Sequence, residues 1–235
     1  MVSEFMLQQT GVDRVRDAYS RFLARFPDVK RLAAASPRDV LEVWSGLGYN
    51  RRAVALLKAA HVIVTEYRGR IPRDPQKLRA LPGVGQSTAG AIMAFAHGTG
   101  IPFVETNIRR VFIHFFFPGA SRVTDREIIP LIEETLYPSD PRTWYYALMD
   151  YGAMLGETSR NENRRSAHYH RQKKFEGSSR QMRGRILRAL LTMRHATAKE
   201  LAGVIHARTG AVQPLLEALA KEGFLVKSRK GFSLR

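Results

Sequence analysis

Residues 81–85, Leu-Pro-Gly-Val-Gly, separate two segments with helical patterning: one that Pro75 opens, and one that runs from Ser87 to Ala96. Two glycines permit backbone angles that side chains forbid, and the proline ends the helix before it. The helix that follows then presents its free N–H groups and the positive end of its dipole at the turn. Such a corner can hold a phosphate at close range, and it positions a polyanion without reading its sequence. A Gly-x-Gly turn by itself occurs between many helix pairs. Pro-Gly-Val-Gly-x-x-Thr-Ala between two helices, which here takes in Leu81, Gly83, Val84, Gly85, Ser87 and Thr88, is far more specific.

The rest of residues 1–156 predicts helices almost throughout, with apolar residues at i, i+3 and i+4 and Pro or Gly between segments. Val15, Tyr19, Phe22, Leu23 and Phe26 form one face that Pro27 ends. Ser36-Pro37 opens the next helix, with Ser at the cap and Pro in the first turn. Further helices are expected over Arg51–Tyr67, from Thr106, over Asp125–Leu136 and over Arg142–Leu155. Phe115-Phe116-Phe117 reads as core, with a base-stacking platform as the lesser alternative. A basic connector is expected over 157–180; from Arg160 to Arg185 nine Lys or Arg face two Glu. From 181 to 235 the order is helix, helix, helix, hairpin. Thr197-Ala198-Lys199-Glu200 is a capping box, Pro214 falls in the first turn of the third helix, and a basic tip spans Lys227 to Gly231. That order predicts a small winged helix-turn-helix, a module whose third helix usually enters the major groove. Few basic residues lie on this third helix, so DNA reading and protein packing both remain open for it.

The 235 residues carry 38 Lys and Arg against 21 Asp and Glu, a formal net charge of +17. That surplus points to a polyanion, and nucleic acid is the commonest one. No stretch is long and apolar enough to span a bilayer, and no signal peptide is evident. A cytoplasmic, nucleoid-associated monomer without a membrane partner is expected. The chain has no cysteine, so disulfides and cysteine-held zinc or iron–sulfur clusters are excluded within it. The seven histidines show no metal-ligand spacing, and no metal site is expected.

Two acids stand out in this basic chain. Glu105 follows the 81–85 turn by about twenty residues, in Val104-Glu105-Thr106-Asn107. Glu4 opens Glu4-Phe5-Met6-Leu7-Gln8-Gln9, where a helix would set Glu4 and Gln8 on one face beside apolar Leu7. A carboxyl among apolar neighbours stays protonated, which suits a general acid. The octapeptide read alone also fits an ordinary helix-start glutamate.

Taken together, Ser3–Thr10, Trp44–Tyr49, Leu81–Gly90 and Ala147–Met154 resemble the MutY-type adenine DNA glycosylases, in the helix-hairpin-helix superfamily that also contains endonuclease III. The resemblance spans about residues 2–156. It implies a mainly α fold, a helix-hairpin-helix glycosylase domain over 1–156, followed here by the winged module. Glu4 falls on the family's general acid, which protonates N7 of the expelled adenine, and Asn107 on an asparagine beside the catalytic acid. Gln9 and Tyr49 fall on residues that push into the base stack, and Leu7 beside the flipped base. Gly83 and Gly85 match the phosphate-binding hairpin, which a monovalent cation often assists in the family. Ser87 stands where endonuclease III has its lysine nucleophile, so a monofunctional enzyme is implied. Arg51, Arg109, Arg164, Arg165, Lys173 and Lys174 are the expected basic DNA contacts.

The chain departs from the family in four places. Glu105 occupies the position of the catalytic aspartate; the extra methylene moves the carboxylate by roughly 1–1.5 Å, a displacement that can change a rate about 100-fold. No cysteine cluster is present, the domain that inspects 8-oxoguanine is replaced by the winged module, and the family has a helical segment ahead of the position of Glu4. Residues 1–10 are accordingly expected to be less stable than in relatives. The expected partner is duplex DNA with a damaged or mismatched base, and the expected reaction removes adenine opposite G or 8-oxoguanine. A glycosylase for T or U opposite G, or for hypoxanthine, and a non-catalytic DNA-binding scaffold are the alternatives.

Overall fold

The computed structural model describes residues 1–158, 161–171 and 174–235. Arg160 and Lys173, both counted in the basic connector, lie outside the described residues. In chain order the elements are α1 (Val2–Leu7), α2 (Val12–Arg25), α3 (Val29–Ala33), α4 (Pro37–Trp44), α5 (Arg51–Glu66), α6 (Pro75–Ala80), α7 (Gln86–His97), α8 (Thr106–Phe116), α9 (Asp125–Thr135), α10 (Pro141–Thr158), a 3₁₀ turn (Glu162–Arg165), α11 (Ser179–Thr192), α12 (Ala198–Val204), α13 (Thr209–Lys221), β1 (Leu225–Ser228) and β2 (Gly231–Leu234). They divide into two compact units. One comprises residues 72–172 with Met1; the other joins residues 2–71 to residues 173–235.

The 72–172 unit is built on the packing of α8 against α10. Phe103, Ile108, Phe112, Ile113, Ile128, Ile132 and Tyr145 are buried together there. Tyr145 donates its hydroxyl to the Ile101 carbonyl at 2.7 Å, and burial pushes its phenol far above the ordinary range. The two helices touch closely at Gly152: a Cβ there would lie 2.4 Å from the Asn107 carbonyl oxygen. Of the three phenylalanines expected in the core, Phe115 and Phe116 are instead 55% and 47% exposed. Three successive helical residues sweep about 200° of the helix surface, and the buried stripe of α8 passes through Ile108 and Phe112.

The 3₁₀ turn is firmly tied into this unit. Val123 donates to the Arg165 carbonyl at 2.9 Å, Ala167 donates to the Val123 carbonyl at 2.8 Å, and Asn163 and Ser166 are buried. Arg165 supplies the reason. Its guanidinium donates to the carbonyls of Ile113 (3.1 Å) and Phe117 (2.5 Å), capping the end of α8 where free carbonyls and the negative dipole end favour a cation.

In the other unit, Phe5, Met6, Phe22, Trp44, Leu56 and Ile63 form the core of residues 2–71. Helix α3 has a local cause that the sequence pattern left unused: Asp28 caps it, accepting from Arg31 N at 2.8 Å. The chain after 173 folds as three helices and an antiparallel hairpin paired from Leu225↔Leu234 to Ser228↔Gly231. Its core is Ile186, Leu190, Leu201, Val212, Leu216, Leu219 and Phe224. The Thr197–Glu200 capping box forms as expected. Helix α13 begins at Thr209, so Pro214 sits inside it and not in its first turn. Within this unit Arg38 donates to the carbonyls of Leu190 (3.2 Å) and Leu191. Glu222 receives two bonds from Arg51 (2.8 and 2.7 Å) and two from Arg183 (3.0 and 2.5 Å). Those two guanidiniums pull the Glu222 carboxyl down to about 2.

Candidate functional site

Glu105 is the N-cap of α8. Its Oε1 accepts from the N–H groups of Asn107 (2.6 Å) and Ile108 (2.8 Å), satisfying two donors that a helix start leaves open. Cap residues are usually short; this longer side chain folds back to do the same work, and both bonds converge on one oxygen. The carboxyl is mostly buried. Desolvation raises its pKa, while the two backbone bonds and Arg109 pull in the opposite direction. The ionised form is therefore held at the expense of fold stability, which is greatest below the ordinary glutamate range and falls as pH rises through the raised value.

Asn107 is fixed from its own helix. Arg110 donates to Asn107 Oδ1 at 3.0 Å and to the Gly152 carbonyl. Asn163 donates Nδ2 to the Thr106 carbonyl at 3.0 Å and so braces the first turn of α8 from the 3₁₀ turn. Arg110 and Asn163 were not legible as site residues: helical spacing allows Arg110 to meet Asn107, but the bonds of Arg110 to Gly152 and of Asn163 to Thr106 join positions 42 and 57 apart.

The 81–85 turn joins α6 to α7. Gly83 has φ +78°, a conformation that favours glycine. Gly85, the cap residue of α7, is different: φ is −86°, ψ is −178°, and a Cβ built on it meets nothing within 4 Å. The expectation that both glycines supply forbidden angles holds for Gly83 alone. The fold itself would accept alanine at 85, and a glycine there leaves the head of α7 open to close approach by a phosphate. Gly85→Ala is expected to leave the thermal midpoint within about 1 °C while weakening duplex binding about tenfold, measured by fluorescence anisotropy. Leu81 and Val84 are buried beneath the turn, and Ser87 and Thr88 are partly buried in the first turn of α7.

In the other unit α1 ends at Leu7, so Gln8 is not placed one helical turn from Glu4 as expected. Gln9 takes φ +57°, and Arg52 explains the early stop. Its guanidinium donates to the carbonyls of Phe5 (2.9 Å), Met6 (2.7 Å) and Gln8 (2.5 Å), drawing off the oxygens that would continue the helix. It also binds Thr10 Oγ1 at 2.9 Å and the carbonyls of Leu47 (3.3 Å) and Gly48 (3.2 Å). Burial lowers its pKa to about 10, so it stays charged at neutral pH. One buried arginine thus joins the helix that carries Glu4 to the turn that carries Tyr49. Sequence reading missed it, although an arginine on the buried stripe of α5 is itself a signal of captured carbonyls. Glu4 is partly buried, with Ser3 Oγ 3.4 Å from its Oε1. Leu7 is exposed, and Tyr49 is 36% exposed at φ +46°.

Several expected DNA contacts have partners within the protein. Arg51 pairs with Glu222, Arg165 caps α8, and Arg109 makes a two-bond pair with Asp125 at 2.7 and 2.9 Å. Arg164 and Lys174 are exposed. Among the described residues, no group of three or more His, Asp or Glu is placed to hold a metal ion, and no helix is long and apolar enough to cross a membrane.

A family model for HhH-GPD superfamily base excision DNA repair proteins matches residues 2–135, which include the 81–85 turn and the head of α8. The chain belongs to the HhH-GPD superfamily. Among HhH-GPD relatives, an adenine DNA glycosylase of Mycolicibacterium smegmatis is 37% identical over 207 residues, covering 81% of this chain and 70% of that protein. An adenine DNA glycosylase of Buchnera aphidicola is 34% identical over 158 residues, covering 66% of this chain but 44% of that protein. Of solved structures, a thermostable thymine-DNA glycosylase matches with a TM-score of 0.59 at 23% identity, over 68% of this chain and 76% of its own. That likeness establishes the HhH-GPD fold and leaves the substrate to other arguments.

Proposed function

We propose that this chain is a monofunctional DNA glycosylase of base excision repair that cleaves the N-glycosidic bond of adenine mispaired with G or 8-oxoguanine. The observation that carries the reading is Glu105: a mostly buried carboxylate, fixed by two backbone N–H groups at the head of α8, in a chain of this family. The adenine specificity rests on the relatives' shared name.

In the proposed reaction the target nucleotide leaves the base stack. Gln9 and Tyr49 fill the stack in compensation, and Leu7 and Gln8 flank the extruded base. Glu4 gives a proton to N7 of adenine, and the bond from sugar to base breaks with its electron pair leaving on the base. The positive charge that develops on the sugar is stabilised by the ionised Glu105, with Asn107 alongside, and water completes the hydrolysis. Ser87 offers no amine for a Schiff base, so the product is an intact strand with an abasic site. The chemistry runs through two carboxylates without an iron–sulfur cluster or a catalytic metal; a monovalent cation at the 81–85 turn would serve phosphate binding only. The proposed partner is duplex DNA, engaged by a monomer in the cytoplasm at the nucleoid.

The test is incubation with duplexes carrying A, T, U or hypoxanthine opposite G or 8-oxoguanine, followed by alkali. Strand breaks confined to A support the proposal. Breaks at another base overturn its specificity, and tight binding without breaks overturns its catalysis. Glu4→Gln is expected to abolish breaks while leaving affinity for the duplex intact.

Charge removal should separate the arginines by role. Neutralising exposed Arg164 or Lys174 should each lower the slope of log affinity against log salt by about 1. Arg165→Ala should leave that slope unchanged and destabilise the protein by about 1–3 kcal/mol, because the α8 carbonyls lose their donor.

A further inference from the structure

Tyr49 is held from the far end of the sequence. Arg180 Nη1 donates to Tyr49 Oη at 2.8 Å, across 131 positions, and the Arg180 guanidinium lies 5.8 Å from the ring centroid. The Arg52 guanidinium lies 5.5 Å from the same centroid. The ring is thus engaged by two cations, one from the residues that form α5 and one from the start of α11. The backbone is constrained as well: Gly48 at φ +70° is followed by Tyr49 at φ +46°, a conformation that tyrosine rarely adopts.

Residues 173–235 are joined to residues 2–71 by the Arg51–Glu222 pair, whose carboxylate Arg183 also holds from its own side, and by Arg38 on the Leu190 and Leu191 carbonyls. Moreover, Arg180 is the second residue of α11, where the helix dipole disfavours a cation. A cation placed against the dipole, directed to an exposed aromatic ring in a strained turn, points to that ring as its purpose.

We propose that Arg180 is a positioning residue for Tyr49, and that the carboxy-terminal module thereby fixes the pose in which Tyr49 enters the duplex and sets how sharply the enzyme distinguishes the base opposite adenine. This rests on the assignment of Tyr49 to the base stack. The module acts here through a side chain it orients on the rest of the protein, without reading DNA itself.

The experiment uses the full chain and a duplex with an abasic-site analogue, flanked by the fluorescent base 2-aminopurine, which brightens when unstacked. This readout does not depend on which base is excised. Tyr49→Ala should abolish the fluorescence rise seen with the unaltered protein. Arg180→Ala should reduce it by at least half, Arg180→Lys should restore most of it, and Tyr49→Phe, which removes the hydroxyl that accepts from Arg180, should resemble Arg180→Ala. The ratio of single-turnover rates for A opposite 8-oxoguanine and A opposite G should shrink about tenfold in Arg180→Ala, as expected for one lost charge-assisted hydrogen bond. Thermal midpoints should match throughout. An unchanged rise and an unchanged ratio in Arg180→Ala would overturn the proposal. So would an unchanged rise in Tyr49→Ala, and that outcome would leave the excision assay on adenine unaffected.

Discussion

Glu105→Gln is expected to lower adenine release by more than about 100-fold in single-turnover assays while leaving duplex affinity within about threefold, because the lost charge matters only once the sugar becomes positive. Stability should move the other way. Glutamine keeps an oxygen that can accept from Asn107 and Ile108 N–H, so the cap of α8 survives. It also removes a carboxylate whose ionisation is opposed by burial. The variant should therefore melt at or above the midpoint of the unaltered protein near neutral pH, and this advantage should vanish as pH falls below the raised pKa of Glu105, where the native carboxyl is also neutral. The acid limb of the pH–rate profile should lie above the ordinary glutamate range for the same reason. Full activity in Glu105→Gln would end the proposed mechanism. A large fall in midpoint together with activity would show that Glu105 is chiefly a cap.

The second large effect concerns a residue that touches no reacting atom. Arg52→Met should destabilise the protein by about 3–5 kcal/mol, since it strips buried carbonyls of a charged donor that methionine cannot replace. The carbonyls of Phe5, Met6, Gln8, Leu47 and Gly48 all lose a partner together. Amide hydrogen exchange over residues 5–10 and 46–50 should rise first, and glycosylase activity should fall with it, because Glu4 and Tyr49 lose a common support. A midpoint in denaturant corresponding to less than about 1 kcal/mol of loss would show that backbone order there has another source.

The contrast between these two residues marks what the sequence could disclose. Glu105 stood out because an acid in a basic chain, a fixed distance after a Pro-Gly-Val-Gly turn, is a local and rare pattern. Helix starts at Ser36, Thr197 and Pro75 were legible for the same reason: a cap or a proline acts within its own turn. The early end of α1, the inward course of Arg165 and the hold of Arg180 on Tyr49 depend on partners 44, 48 and 131 positions away. No periodicity carries that information. Phe115 and Phe116 failed in a related manner, since apolar character alone does not say which side of a helix meets the core.

The pair between Arg51 and Glu222 closes 171 positions of chain, and this sets an order of events on the ribosome. Residues 72–172 can complete their unit as soon as they emerge. The stretch from 2 to 71 belongs to a unit whose other half, residues 173–235, is translated after the central one. At about 5–20 residues per second, it waits on the order of ten to thirty seconds for its partners. During that interval Arg51 has no Glu222, and the Tyr49 ring has Arg52 beside it but not Arg180, so its final pose is settled only once α11 has been made.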